Sequence, residues 1–294
     1  MPPVDAQPIT DLSSFIEASP TPYHAVARAV GLLVEAGYTQ LDETAAWPAE
    51  PGGYLIVRDG SLVAWQIAAG HGPGAGFRIV GAHTDSPNLR LKPQPDTGRS
   101  GYRQLGVEVY GGVLLNSWLD RDLGVAGRMV LVDGTVTLVR HDDHAVRVPQ
   151  LAIHLDREVG DQGLVLNRQQ HMAPVWSLED SVAFLDEFCA QVGVDADLVA
   201  GFDLMLHDLE PPRVLGYRDE LLAAPRIDNL LSCHSAVQAL CRTDTSAAAV
   251  PVVALFDHEE VGSTTASGAA SPLLAGTLDR IVGQLGGDRD EAAR

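Results

Sequence analysis

Two glutamates stand side by side directly after an apolar run in the last part of the chain. Glu259 and Glu260 follow VPVVALF, within the segment FDHEEVGSTTASGA. Successive side chains of an extended strand point to opposite faces, so adjacent carboxylates here have two explanations. They either begin a solvated loop, or they divide two chemical tasks, one binding a metal ion and the other handling a proton. The residues alone leave both explanations open.

Two further segments carry side chains of types that bind metal ions, one after an apolar run and one at the start of a helical pattern. His83 and Asp85 follow FRIVGA, and Asp228 lies near the start of a helical pattern. Ligands of open α/β sheets bind beyond the carboxyl ends of the strands, so these segments can meet at one edge. Imidazole and carboxylate without cysteine suit Zn, Mn or Co. A two-metal hydrolase also needs a bridging carboxylate and a base.

Each of these residues also has a purely structural explanation. The segment HTDSP has the composition of an ordinary turn, and Asp228 could be the N-cap of a helix. The glycine-rich GHGPGAG lacks the spacing of a phosphate-binding loop, and the chain contains no GxSxG nucleophile motif. Spacing alone therefore leaves the metallohydrolase and the structural alternatives open.

Helical and strand patterns alternate at the two ends of the chain. TPYHAVARAVGLLVEAG predicts a helix with Thr21 as cap and Pro22 in its first turn, and YLIVRDGSLVAWQIA predicts a hairpin. Near the other end, RIDNLLSCHSAVQALC predicts a helix. VPVVALF predicts a strand covered on both faces, and SPLLAGTLDRIVGQL predicts a helix capped by Ser271.

The middle of the chain is rich in strand patterns. It contains the hairpin RMVLVDGTVTLVR, the strand patterns VEVYGG, VRVPQ, LAIHL and FDLMLHD, and one helical stretch, LEDSVAFLDEFCAQV. This change from mixed helix and strand patterns to mainly strand patterns predicts an α/β fold in which a β-rich domain interrupts another domain. The predicted insert is 93–220, and the interrupted catalytic domain combines 1–92 with 221–294.

Composition narrows the class of protein. The 294 residues carry a formal net charge of -19, which argues against a nucleic-acid partner. No apolar run approaches the ~18 residues of a membrane helix, and the N-terminus does not resemble a signal peptide. The three cysteines form no disulfide framework. We expect a cytoplasmic protein with no membrane partner.

Six segments of the chain, taken together, resemble the M18 metallopeptidases, the aspartyl aminopeptidases. They are VGAHTDSPNLRLKP, TPYHAV, NSWLDRDLGVAGR, VPQLAIHLDR, APRIDNLLSCHSAV and FDHEEVGSTTASGA. The resemblance implies a zinc-peptidase catalytic domain of the phosphorylase/hydrolase-like α/β type with an inserted β-rich dimerisation domain. It also implies a hydrolase that removes N-terminal residues, preferably Asp or Glu, from peptides.

The same resemblance assigns roles to residues of the site. It implies two zinc ions per complete subunit, with Mn²⁺ or Co²⁺ as possible substitutes, and Glu259 as the general base. The other implied roles are zinc ligation by His83 and Glu260, metal bridging by Asp228 and orientation of the site by Asp85. A bound metal pair would lower the pKa of a shared water. Glu259 would then move its proton to the leaving amine.

The resemblance also implies partners. His154 matches a histidine that helps complete the substrate site of a neighbouring subunit. The expected partners are peptides with a free N-terminus and further copies of the chain, assembled as a dodecamer built from dimers.

The chain departs from the family pattern after the paired glutamates. The pattern supplies another metal-binding carboxylate and a final histidine, whereas no histidine follows His258 here. The only later acids are Asp279, Asp288, Asp290 and Glu291. We expect a chain that lacks the C-terminal portion of the pattern, exposes a sheet edge and binds fewer than two zinc ions tightly. The alternatives are a catalytically incomplete form that acts only through oligomerisation, and a related zinc carboxypeptidase or deacylase.

Overall fold

The computed structural model describes residues 7–179, 181–243 and 249–287, and the chain divides into two compact units. The first unit combines the chain up to Ser86 with the chain from Pro212 onward, and the second is Pro87–Pro211. Both boundaries of the second unit precede those of the predicted insert, 93–220. The first boundary lies earlier because residues 88–92, assigned from the sequence to the catalytic part, pair with strands of the second unit.

The strands and helices are numbered in chain order. The strands are β1 Thr39–Gln40, β2 Gly52–Arg58, β3 Ser61–Ile67, β4 Phe77–His83, β5 Asn88–Arg99, β6 Tyr102–Tyr110, β7 Leu123–Leu131, β8 Val136–Val146, β9 Val175–Ser177, β10 Val199–Asp208, β11 Arg213–Leu215, β12 Leu221–Ala223 and β13 Val250–Phe256. The α-helices are α1 Gln7–Glu17, α2 Pro22–Glu35, α3 Val159–Gln162, α4 Phe184–Val192, α5 Ile227–Cys241 and α6 Leu273–Gln284.

The sheet of the first unit has the strand order β1-β2-β3-β13-β4. Strand β13 is antiparallel to β3 and parallel to β4, with Phe256 opposite His83. Its residues are buried except for the partly exposed Pro251, as predicted for a strand covered on both faces. Because β4 and β13 are parallel, their carboxyl ends lie at the same edge of the sheet.

Two apolar clusters cover the two faces of this sheet. One cluster joins α1, α2 and α5 to one face, where Leu255 is fully buried. The other joins α6 to the opposite face, where Trp65 is fully buried and Phe256 is 8% exposed. Neighbours such as Leu255 and Phe256 belong to different clusters because side chains alternate along a strand. Burying each large side chain contributes about 1.5–3 kcal/mol.

The second unit is built on an antiparallel sheet with its own core. The strand order is β8-β7-β10-β5-β6-β9. Helix α4 adds Phe184 and Phe188 to an apolar cluster that contains the fully buried Leu89, Leu123 and Met129. A β-rich segment with one packed helix is what the middle of the sequence predicts.

Several local predictions are confirmed. Helix α2 begins after Thr21, whose side chain accepts a hydrogen bond from the backbone N–H of His24, and Pro22 is in the first turn. Both predicted hairpins form, between β2 and β3 and between β7 and β8. Their turns use the left-handed backbone of Asp59 and Gly134, with φ of +54° and +85°.

The predicted start of the helix in LEDSVAFLDEFCAQV is wrong. Helix α4 begins only at Phe184. The backbone N–H of Phe184 donates to the carboxylate of Asp96 at 3.1 and 3.2 Å, so a side chain from strand β5 caps this helix. The cap is distant in sequence, which is why local pattern placed the start too early. Asp180, within the predicted helix, lies outside the described residues.

The strand predicted at LAIHL is also wrong. Residues 151–155 contain no strand and residues 153–155 form a turn, in which the N–H of Leu155 donates to the carbonyl of Ala152 at 2.8 Å. The alternating side chains Leu151, Ile153 and Leu155 are 62%, 60% and 69% exposed. Alternation predicts a strand only where one face is buried and a neighbouring strand accepts the backbone hydrogen bonds.

The last predicted helix is displaced by one residue at its start. Pro272 occupies the N-cap position rather than the first turn, and α6 begins at Leu273. The hydroxyl of Ser271 nevertheless accepts a hydrogen bond from the N–H of Leu273 at 3.2 Å. Ser271 thus satisfies one of the free amide groups at the start of the helix.

Strand β4 is the outermost strand of its sheet, and its apolar side chains are partly open to solvent. Ile79 and Val80 are 44% and 50% exposed. An edge strand presents unpaired backbone groups and, here, apolar side chains on the surface of the first unit. Among the described helices, none combines the length and the apolar character required to cross a membrane.

Candidate metal site

The ends of β4 and β13 bring His83 together with the paired glutamates. His83 is the last residue of β4, and Glu259 and Glu260 begin the short 3₁₀ turn that follows β13. Each of the three side chains offers one ligand atom, and these atoms lie within 4.8 Å of one another. His83 is mostly buried, whereas the side chain of Glu259 is 55% exposed. The imidazole is therefore fixed at the base of a site that is open to water on the glutamate side.

Asp228 joins this group from the start of α5. Its backbone is extended, with φ of −82° and ψ of 107°, although it lies within the bounds of the helix. Its carboxylate Oδ1 is 3.2 Å from Nε2 of His83, and 87% of its side chain is exposed. The hydroxyl of Ser86 donates to the carbonyl of Asp228 at 3.1 Å. Asp228 is thus held through its backbone, with its carboxylate directed at the imidazole.

Asp85 lies behind the site and is completely buried. Its two carboxylate oxygens accept the backbone N–H groups of Glu259 and Glu260, each at 3.2 Å. Its carboxylate is also 3.4 Å from Nδ1 of His83, and its backbone carbonyl is 3.0 Å from the same nitrogen. One buried carboxylate thereby fixes both the imidazole ring and the backbone that carries the two glutamates.

The electrostatics of the site favour a cation. Burial alone would lower the pKa of His83, but hydrogen bonds with Asp85 and the charges of Asp85 and Glu259 raise that pKa to about 9. Carboxylates that stabilise a proton on the imidazole also stabilise a metal ion in its place. One imidazole with several carboxylates is a donor set that fits zinc.

Cys233 contacts the site but is not suited to bind metal. Its thiol donates to the backbone carbonyl of His83 at 3.0 Å. Burial raises the pKa of this thiol to about 12, so it stays protonated, and only the thiolate is a good metal ligand. Cys233 is completely buried and belongs to the apolar core of the first unit.

Some supporting residues are not evident from the sequence. Thr84 donates its hydroxyl to the carbonyl of Gly60 at 2.6 Å, which ties the end of β4 to the turn between β2 and β3. The guanidinium of Arg226 donates to the carbonyls of Ile16 and Ser19 at 3.3 and 3.1 Å. It thereby holds the start of α5 against the end of α1. The sequence offers one signal for Thr84, which is its position between His83 and Asp85 in the segment HTDSP.

His154, predicted to help a neighbouring subunit, belongs to the second unit. It is exposed within the turn of 153–155. Its part in a substrate site stays a prediction.

Comparisons with known proteins agree on one family. The family model "Aminopeptidase I zinc metalloprotease (M18)" matches residues 15–294. A "Probable M18 family aminopeptidase 2" of Streptomyces coelicolor is 53% identical over 293 residues, covering 97% of this chain and 67% of the relative. The chain thus spans about two thirds of the length of this curated relative.

Solved structures share the fold. A chain in the cryo-EM structure of the Ape4 and Nbr1 complex superposes with a TM-score of 0.87 at 35% identity, covering 94% of this chain and 59% of that one. The mApe1 dodecamer of S. cerevisiae gives a TM-score of 0.80 at 27% identity, with coverages of 95% and 66%. The mixed α/β fold described above is therefore that of M18 aminopeptidase structures.

Proposed function

Since the chain belongs to the M18 family of zinc aminopeptidases, we propose that it removes N-terminal residues, preferably Asp or Glu, from peptides. The observation that carries this proposal is the meeting of His83, Asp228, Glu259 and Glu260 at the edge where β4 and β13 end. The preference for an acidic N-terminal residue rests on the family resemblance, and so does the use of two zinc ions.

The proposed metal ligands are His83, Asp228 and Glu260. Nε2 of His83 is the nitrogen that faces the carboxylates, because Nδ1 is held by Asp85. Asp228 is the proposed bridging ligand, and its high exposure leaves both oxygens accessible. When bound, zinc supplies Lewis acidity that polarises a carbonyl and makes water easier to deprotonate.

Glu259 is the proposed general base. Its side chain is half exposed, so it can contact an incoming water, and its backbone N–H is held by Asp85. It would accept the proton of the attacking water and return it to the leaving amine. Asp85 is a positioning residue in this proposal, because it touches the backbone of Glu259 and the ring of His83 rather than the substrate.

The proposed partners are peptides with a free N-terminus and other copies of the chain. The exposed apolar side chains Leu151, Ile153 and Leu155 surround His154 in the second unit and support an interface there. A dimer that uses this segment and assembles further into a dodecamer is the proposed arrangement, with the second unit as dimerisation domain. The proposed location is the cytoplasm.

Matched substitutions of the two glutamates test the proposal. We expect Glu259→Gln to lower hydrolysis of an Asp- or Glu-arylamide about 10²–10⁴-fold while zinc stays bound, because only the proton carrier is lost. We expect Glu260→Gln to weaken zinc binding itself. Metal analysis and the arylamide assay on both variants would measure this. Where the unaltered chain hydrolyses the arylamide, an equal rate for Glu259→Gln would exclude Glu259 as the base. Hydrolysis by neither protein would instead support the catalytically incomplete form.

A further inference from the structure

The loop that carries Glu259 and Glu260 is closed at its base by one hydroxyl. Ser61, at the start of β3, donates to the carbonyl of Ser267 at 2.7 Å and accepts the N–H of Asp257 at 2.8 Å. Ser61 is fully buried. Both ends of the loop are thereby bound to the same point of the sheet.

A second connection crosses the loop one residue further out. Nδ1 of His258 lies 2.8 Å from the hydroxyl of Thr265, which also accepts the N–H of Gly268 at 3.1 Å. Nε2 of the same ring is 3.6 Å from the completely buried carboxylate of Asp257. The hydroxyl of Ser267 also lies 3.3 Å from Nδ1 of His258. The imidazole therefore connects the start of the loop at Asp257 with its returning side at Thr265 and Ser267.

The backbone at His258 depends on such contacts. Its φ is +65°, in the left-handed region that residues other than glycine rarely adopt. Local strain of this kind persists only where the surroundings hold it in place. The carbonyls of His258 and Glu259 accept the N–H groups of Ser263 and Gly262 at 2.8 and 2.9 Å. The segment bearing both carboxylates is thus a closed turn whose ends are joined by the imidazole and the hydroxyl.

We propose that His258 and Thr265 form a latch that positions the carboxylates of Glu259 and Glu260 for metal binding. Both are positioning residues, because they act through the two glutamates. The inference rests on the proposed function in one respect, that these carboxylates act on a metal. Groups that orient metal ligands change metal affinity about 10–100-fold when they are removed.

Thr265 offers a clean test because it is exposed and its hydroxyl can be removed without changing its shape. Thr265→Val removes the hydroxyl, Thr265→Ser keeps it, and Thr264→Val makes the same change at the adjacent exposed threonine. In metal-free protein, we expect Thr265→Val to speed amide hydrogen exchange at Gly262 and Ser263 about fivefold. Thr265→Ser and Thr264→Val should exchange like the unaltered chain.

The metal measurement uses Co²⁺, whose visible absorption reports the geometry of its ligands. We expect Thr265→Val to bind Co²⁺ about tenfold more weakly, with a changed absorption spectrum, and Thr265→Ser to restore both. Melting temperatures would separate a local effect from loss of the fold.

Two results would overturn the latch. One is unchanged exchange and unchanged Co²⁺ binding in Thr265→Val, and the other is an equal defect in Thr265→Ser, which retains the hydroxyl. Absence of Co²⁺ binding by the unaltered chain would instead overturn the proposed function, and the exchange measurement would still decide whether the latch exists.

Discussion

At the scale of single residues, the site depends on a buried carboxylate that is not itself directed at solvent. Asp85 accepts the N–H groups of two successive residues and lies against His83. A carboxylate is suited to this task because it has acceptors in two directions and no donor. Its negative charge also raises the pKa of the imidazole. Asp85 therefore determines both the geometry of the site and the raised pKa of His83.

We expect Asp85→Asn to lower zinc affinity about 10–100-fold. The amide group of Asn would turn a donor toward one of the two N–H groups of Glu259 and Glu260, which would displace that part of the loop. Competition with a chelator would measure the affinity. Asp186→Asn, at an exposed position of α4, is the control. Equal zinc affinity in the unaltered chain and Asp85→Asn would contradict the role assigned to Asp85.

At the scale of elements, the parallel pairing of β4 and β13 is the decisive arrangement. It places His83 opposite Phe256, so the residues that follow both strands emerge at one edge.

In the second unit, the close approach of strands β7 and β10 depends on a glycine. A Cβ added to Gly127 of β7 would overlap the backbone carbonyl of Asp203 in β10. Backbone cannot move aside as a flexible side chain can.

We expect Gly127→Ala to destabilise the second unit by about 3 kcal/mol, because it forces β7 and β10 apart. Gly201→Ala is the matched control in β10, where a Cβ would meet no atom within 4 Å. That variant should change the free energy of unfolding by less than about 1 kcal/mol. Urea denaturation of both variants would measure the difference, and similar values for the two would show that the strands tolerate the methyl group.

At the scale of the whole molecule, the two units have separate apolar cores. The first unit buries its residues on both faces of its sheet, and the second buries its own between its sheet and α4. His83, Asp228 and Glu260 all belong to the first unit. A ligand bound by these residues should therefore stabilise one unit selectively.

We expect zinc at 100 times its dissociation constant to stabilise the first unit by about 2.7 kcal/mol. Hydrogen exchange should slow in β4 and β13, while exchange in β7 and β8 of the second unit should not change. Glu260→Gln should abolish the protection. Equal slowing in both units would mean that they open together, contrary to the division into two cores.

The sequence by itself determined the elements whose signals are local. Thr21 with Pro22 marked the start of α2, and Asp59 and Gly134 marked two hairpin turns. It also identified the family. These predictions succeed because a cap, a turn or a motif is defined by residues that are near one another in the chain.

Only the tertiary structure decided how distant segments complete one another. Asp96 of β5 sets the start of α4, and residues 153–155 form a turn. Asp85 holds a loop that lies far along the chain from it, and Ser61 joins both ends of that loop. The physical reason is that a buried donor or acceptor must find a partner, and folding rather than sequence distance supplies it.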